Sequence, residues 1–434
     1  MLDEILNILK TSNLFLTGGG GVGKSYLTKK IIEHYNKNEK NVVVLGSTGI
    51  SAINIGGVSV HSFFKFGISQ NEEMLKFLDK KQKSKLAGLK DILKNTDLII
   101  IDEISMLSSE LIEMINLRLI WAKFIGKILF VGDFYQLPPV KKKGESLLFD
   151  LTYAFHASAW HSLSLTNVEL LVSKRTNDIK LYNILSKIRI GVLDDEIISF
   201  LKSRIIKDIP KDLSVLFGKN SEANALNSAR LKEIRSDSKF FSAKINVYDD
   251  RLSDEVFDKW VQNINLPYEL ELKIGAKVMF ITNKWGEYHN GEQGVVVDFV
   301  SKNDKEFICI KKSNGDIIQI EPYKYELYEF ISDNSDVLQS VRADFEQFPL
   351  RLAYAITIHK AQGMSIEKFV CNLDNIFEAG QLYVALSRAI NPDGLYINYT
   401  KNMDFEKYLR SIVKINPEVD AFYKNTNFIK EDIK

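Results

Sequence analysis

Cysteine is nearly missing from this chain: 434 residues hold two, Cys309 and Cys371, each inside an apolar strand-like run ("FICI", "FVCNL"). Two such residues make no disulfide framework. They are expected as buried free thiols, which fits a reducing, cytoplasmic compartment. Histidine is also scarce, six in all, and none shows metal-ligand clustering; His156 and His161 lack both the spacing and the partners of a zinc site. No apolar run reaches transmembrane length, and the opening "MLDEILNILK" reads as an amphipathic helix with acids rather than a signal peptide. An excess of one charge is lacking too, with 57 Lys+Arg against 56 Asp+Glu. Any basic surface for nucleic acid must therefore be local rather than global. No internal repeat or low-complexity segment stands out. What remains, 45% hydrophobic and 26% charged residues, is the balance of a soluble globular protein. The length exceeds one ordinary core, so several domains are expected.

The most informative stretch is "LFLTGGGGVGKSYLTKKII", residues 14–32. It fits G-x-x-x-x-G-K-[ST] without a gap: Gly18, then Gly19, Gly20, Gly21 and Val22, then Gly23, Lys24 and Ser25. Glycines let backbone N–H groups turn inward onto phosphate oxygens, and the helix that follows adds its positive dipole end. Lys24 would reach the β- and γ-phosphates, and the Ser25 hydroxyl would ligate Mg²⁺. An apolar strand precedes the loop, and Leu27, Ile31, Ile32 and Tyr35 follow at helical spacing, so the context is that of an ATP site.

Two further strand ends carry polar residues. "TDLIIIDEISML" runs apolar from Leu98 to Ile101 and ends in Asp102-Glu103. An Asp there holds Mg²⁺, and the adjacent Glu can polarise the attacking water as general base. "KILFVGDFYQLPPV" gives another strand ending in Gly132-Asp133, with Gln136 placed to sense the γ-phosphate. A nucleotide motor also needs guanidinium charge on the transferred phosphoryl. Arg175 in "VSKRTND" and Arg388 in "GQLYVALSRAI" are the candidates; an isolated Arg near a helix end more often caps carbonyls. Lysines crowd residues 76–94 and again at Lys141, Lys142 and Lys143, where a solvated face competes with a nucleic-acid contact.

The ordered set "GGGGVGKS", "LGSTGISAINIGGVSVHSF", "LIIIDEISML", "VGDFYQLPPV", "SKRTND", "AYAITIHKAQGMS" and "LYVALSRA" resembles the superfamily 1 DNA helicases of the petite-integration-frequency (PIF-type) family, relatives of RecD and phage Dda. The resemblance spans most of the chain. It implies an α/β protein of two RecA-like P-loop domains, parallel sheets flanked by helices, with a small SH3-like β-barrel inserted in the second. It implies ATP and Mg²⁺ as the only cofactors and 5′-to-3′ translocation on single-stranded DNA. Arg175 and Arg388 become the two arginine fingers, and Gly363 joins the nucleotide-binding residues. A strand held without base reading needs backbone amides, hydroxyls and stacking platforms. Thr48, His61, Ser62 and Phe63 on the first domain, and Thr357, His359 and Lys360 on the second, are the expected DNA residues; for Phe63 and Phe64 the residue pattern itself favours a core role.

The expected boundaries are 1–170 for the first RecA-like domain, with a short wedge segment near 64–97 that looks more helical than hairpin-like. The second runs over 171–264 and 345–415. The barrel takes 265–344, with turns at Asn290-Gly291 and Asn314-Gly315, and 416–434 reads as a peripheral polar tail. Only 17 residues precede the phosphate loop, and they hold no adenine-reading glutamine motif. The expected partners are single-stranded DNA and forked or tailed duplex, with single-stranded-DNA-binding or replication proteins besides, no membrane, and a monomer without DNA. Two other readings stay open. One is a DNA-dependent ATPase translocase, or a RecD-like subunit of a recombination nuclease, that does not unwind as a single chain. The other is a non-catalytic ATP-gated binding module, against which the Asp102-Glu103 pair argues.

Overall fold

A computed structural model of the chain describes residues 1–47, 51–52, 55–67, 69, 71–80, 83–139, 153–172, 176, 178–284, 286–303 and 305–431. They fall into two compact units, residues 1–174 with 327–342 and 416–434, and residues 175–326 with 343–415.

The first unit is built on a parallel sheet. Its strands are β1 (Asn13–Gly18), β2 (Val42–Gly46), β3 (Val58–Ser59), β4 (Leu98–Asp102), β5 (Lys127–Val131) and β6 (Leu165–Leu170), ordered β6-β1-β5-β4-β2-β3. The central ones are near-continuous apolar runs. Leu14, Phe15, Leu16 and Leu98 to Ile101 are wholly buried, as strands covered on both faces must be. One face packs on helices α1 (Leu2–Thr11) and α2 (Lys24–Lys37) through Ile5, Leu9, Leu27 and Ile31.

The opposite face is aromatic, and part of it comes from the far end of the chain. Residues 416–431, which read in sequence as a peripheral tail, form a helix over Pro417–Asn425 and a strand over Ile429–Glu431 that pairs in parallel with β6. Phe422 stacks on Phe155 at 4.5 Å and meets Phe134 edge-on at 5.4 Å; Phe134 in turn packs on Phe15 at 5.3 Å. The segment belongs to the sheet because its apolar side, not its overall polarity, sets where it goes.

The lysine-rich insertion is helical, over Glu72–Asp79 and Lys83–Asn95. The buried Arg118 fixes its first helix with two bonds to the Asp79 carboxylate, at 2.5 and 2.7 Å, and a third to the Phe64 carbonyl.

The second unit has a four-stranded parallel sheet, β7 (Ser214–Phe217) central with the strands Ala355–Thr357, Phe369–Asn372 and Leu395–Asn398. Beside it in sequence, Lys277–Phe280, Gln293–Lys302, Lys305–Lys312, Ile317–Ile320 and Leu350–Leu352 make one five-stranded antiparallel sheet around Val278, Phe280, Val296, Ile308, Ile310 and Leu350. Gly291 and Gly315 take positive φ, +92° and +93°, at the two Asn-Gly turns. The expected barrel span differs from the structure at its far end. Tyr323–Asp333 and Asp336–Gln347 form a long hairpin whose tip, 327–342, belongs to the first unit, where the Tyr328 hydroxyl donates to the Gly56 carbonyl and Phe330 meets Phe63.

Candidate nucleotide and nucleic-acid site

In a parallel sheet the strands end on one edge, and loops leaving that edge converge where the strand order reverses. Here β1 is flanked by β5 and β6, and β4 lies one strand further out. The phosphate loop, Asp102-Glu103 and Gly132-Asp133 therefore leave the sheet on the same side. The loop starts at Gly18, φ +137°; a Cβ there would sit 2.4 Å from the Leu170 carbonyl oxygen, so only glycine passes. Gly21 and Gly23 also take positive φ, and Gly23 caps α2. Lys24 Nζ donates to the carbonyls of Gly18 at 2.7 Å and Gly19 at 3.0 Å. The ammonium is thus held inside the loop. Ser25 lies exposed on the first turn of α2.

At the end of β4 the Asp102 carboxylate accepts from the Glu103 backbone N–H at 2.9 Å. Withdrawal from water pushes its pKa up, opposed by that N–H and by the charge of Lys24. Glu103 has φ +55°, in the left-handed region that non-glycine residues rarely occupy. A 3₁₀ turn over Ile104–Met106 follows directly. Gly132, at the end of β5, comes so near that a Cβ would lie 2.8 Å from Ile104 N. The next turn buries Asp133, whose backbone carbonyl accepts from Gln136 N at 2.9 Å; Gln136 is buried beside it.

In the second unit, Thr357 ends its strand and opens a turn-rich loop. His359 Nε2 lies 3.3 Å from the Glu378 carboxylate, and Gly363 has φ +81° with open space where a Cβ would be. Arg388 is only 2% exposed. Its guanidinium donates to the carbonyls of Val384, Ala361 and Met364 and to the Ser387 hydroxyl, so it ties the helix Gln381–Leu386 to the loop that carries Gly363.

A family model described as "PIF1-like helicase" matches residues 1–196. The chain is 45% identical to "ATP-dependent DNA helicase Pif1" of Campylobacter jejuni over 443 aligned positions, covering 100% of this chain and 99% of that one. It belongs to the PIF1-like helicase family. Among solved structures, that of the Bacteroides sp Pif1 in complex with ADP-AlF4 matches with a TM-score of 0.80 at 26% identity, covering 98% of this chain and 95% of that chain. The Bacteroides Pif1 bound to ssDNA matches with a TM-score of 0.64 at 27% identity, over 98% and 95%. Both confirm the α/β fold class of this PIF1-like chain.

Several residues singled out in the sequence are not where a simple reading puts them. Phe63 is 4% exposed, packed edge-on against Phe64 at 4.9 Å and Phe330 at 5.6 Å. That burial supports the core role the residue pattern favours for it, and Phe64 is wholly buried as well. His61 is half-buried against Phe66, and Ser62 is exposed. Thr48, Arg175 and Lys141 to Lys143 lie outside the described residues. Cys371 is buried, its thiol pushed up to about 12 by burial, while Cys309 is half-buried; both are free.

One residue of the PIF1-like site escaped the sequence reading altogether. The Tyr423 hydroxyl lies 2.7 Å from the Thr17 hydroxyl, 3.3 Å from Asp133 Oδ1, and accepts from Phe134 N at 3.2 Å, while its ring stacks on Tyr135 at 4.6 Å. It ties the exit of β1 to the exit of β5. No local signal marks it, since its partners lie far off in sequence, Asp133 290 positions away and Thr17 406.

Proposed function

We propose that this chain is an ATP-dependent DNA helicase that moves 5′-to-3′ along single-stranded DNA and unwinds forked or tailed duplexes in replication, repair or recombination. One observation carries the reading. A single sheet edge brings together a phosphate loop with its Lys24, an Asp-Glu pair and a buried glutamine turn, in a chain whose whole length follows a curated DNA helicase. Binding begins at the loop: amides from Gly19 to Ser25 take the phosphate oxygens, and Lys24 exchanges its loop carbonyls for the β- and γ-phosphates. Glu103 orients water and takes its proton as the γ-phosphoryl is transferred. Gln136 reports the γ-phosphate to the rest of the unit. Ser25 and Asp102 fit a Mg²⁺ ion by their chemistry, being hard oxygen donors, one of them an acid whose ionised form burial disfavours and a bound cation would stabilise. Bound there, the ion would neutralise phosphate charge.

Arg175 and Arg388 are assigned to the transferred phosphoryl. For Arg388 this requires its bonds to the Ala361 and Met364 carbonyls to exchange for phosphate oxygens. Thr48, His61 and Ser62, with Thr357, His359 and Lys360, hold the strand by backbone and hydroxyl contacts that tighten and loosen with the nucleotide. The free thiols suit a cytoplasmic monomer working with single-stranded-DNA-binding or replication proteins, and no helix among the described residues is long and apolar enough to cross a membrane.

The test is strand separation on 5′-tailed, 3′-tailed and blunt duplexes with ATP and Mg²⁺. Unwinding of the 5′-tailed substrate alone is expected. Unwinding from a 3′ tail would overturn the polarity, and DNA-stimulated hydrolysis with no unwinding would leave a translocase.

A further inference from the structure

We propose that Arg351 and Lys360, with the Thr357 hydroxyl at the start of the same loop, form a phosphate-binding site in the second unit. The inference rests on the helicase reading above and adds to it a residue, Arg351, that none of the sequence motifs assigns.

Arg351 lies on the strand Leu350–Leu352, directly opposite Met279, and Met279 is directly opposite Gln293. Residues paired across a sheet share a face, so the three make one row. The loop that follows Thr357 packs over that row. Arg351 Nη2 reaches Met364 Sδ at 3.8 Å. A Cβ on Gly291, in the turn two residues before Gln293, would lie 3.1 Å from Met364 Cβ and 2.9 Å from the Ser365 carbonyl oxygen. Lys360 belongs to this loop, three residues after Thr357, and the nearby Arg351 charge disfavours its own.

Among the described residues nothing answers these charges. There the buried Arg351 Nε, Gln293 Nε2 and Thr357 Oγ1 have no hydrogen-bond partner. Thr357 is 3% exposed. Among the described residues no carboxylate bears on either cation: burial pushes Arg351 down to about 10, and burial together with Arg351 pushes Lys360 down. Two half-withdrawn cations with spare donors and no counter-charge are unfavourable as a structural feature, since an unpaired buried charge is far costlier than a paired one. Their complement is a group that only accepts, carries negative charge and offers several oxygens. A phosphate has all three properties. It can come from the backbone of a bound DNA strand or from the nucleotide.

The test uses the full chain with Arg351→Gln, Arg351→Lys and Lys360→Gln. Binding of labelled oligothymidine without nucleotide is measured against salt, and binding of a non-hydrolysable fluorescent ATP analogue is measured without DNA. If the phosphate is the strand's, the slope of log affinity against log salt should fall by about 0.7 in Arg351→Gln and in Lys360→Gln, the value of one single-strand phosphate contact, and Arg351→Lys should restore most of it. If it is the nucleotide's, the analogue should weaken several-fold in both variants with the DNA slope unmoved. Both affinities unchanged in variants that melt like wild type would overturn the site. Should Arg351→Gln fail to fold, Lys360→Gln and Arg351→Lys carry the same comparison. A wild-type chain that neither binds oligothymidine nor hydrolyses ATP would instead sink the helicase reading, which is a different result.

Discussion

The roles proposed for Glu103 and Lys24 rest on groups that one substitution can remove without disturbing the fold. The Glu103 backbone is pinned by its own N–H bond to Asp102 and by the 3₁₀ turn, so Glu103→Gln keeps shape and volume and loses only the proton acceptor. Nucleotide affinity should stay near wild type, while DNA-stimulated turnover falls by on the order of 10²–10⁴. Wild-type turnover in a steady-state phosphate-release assay would remove Glu103 from its role. Lys24→Ala should abolish hydrolysis, because it removes the ammonium that sits on the loop carbonyls and would meet the phosphates. A different residue gives a pH signature. Lys277 donates to the Asp212 carbonyl and to Ser214 Oγ at 3.1 Å, and burial pulls its pKa down to about 8. The unfolded chain then binds the extra proton between that value and the ordinary lysine range, so stability from this group is missing below about 8 and returns as pH rises towards 10. Lys277→Met should flatten the rise in denaturation midpoint between about pH 7.5 and 9.5. An identical slope in both proteins would show that this lysine titrates normally when folded.

The elements were legible in proportion to how local their causes are. The phosphate loop could be read because glycine, lysine and serine act within eight consecutive positions, and β4 because four buried apolar residues in a row have few other uses. The Asn-Gly turns carry their own chemistry. The helix Pro417–Asn425 could not be read in this way. It is short and polar overall, and what gives it a place is an aromatic cluster of Phe15, Phe134 and Phe155 contributed by a strand, a turn and a 3₁₀ helix distant in sequence. Phe63 likewise packs against a residue from a remote segment, Phe330 of the hairpin, which no local pattern announces. Removing residues 416–434 should therefore expose a core face and cost several kcal/mol, given about 1.5–3 kcal/mol for each large buried apolar side chain. Tyr423→Phe is the finer probe. It keeps the stacking on Tyr135 and loses the bonds to Thr17, Phe134 and Asp133, so about 1 kcal/mol of stability should go. If the hydroxyl also sets the Gln136 turn, kcat for ATP should drop with KM nearly unchanged. A fall in melting temperature with kcat intact would leave Tyr423 a purely structural residue.

For the molecule as a whole, near-zero net charge decides how it can hold a polyanion. With 57 basic and 56 acidic side chains there is no general field to draw DNA in. On the proposed reading, affinity comes from a few placed contacts: loop amides, hydroxyls, the half-buried His359 paired with Glu378, and Lys360. Such contacts meet the phosphate backbone and are blind to sequence. Oligothymidine and an unstructured mixed-sequence strand of equal length should therefore bind with affinities within a few-fold. Both should weaken with salt along one shared line, whose slope divided by about 0.7 counts the phosphates engaged. The rate of association should depend on salt far less than the affinity does, because long-range steering needs a net charge that the chain does not have. Stopped-flow association at two salt concentrations, set beside equilibrium titrations, separates the two effects. An association rate falling as steeply with salt as the affinity would mean that a basic surface dominates the approach, with the crowded lysines of residues 76–94 as its first candidate.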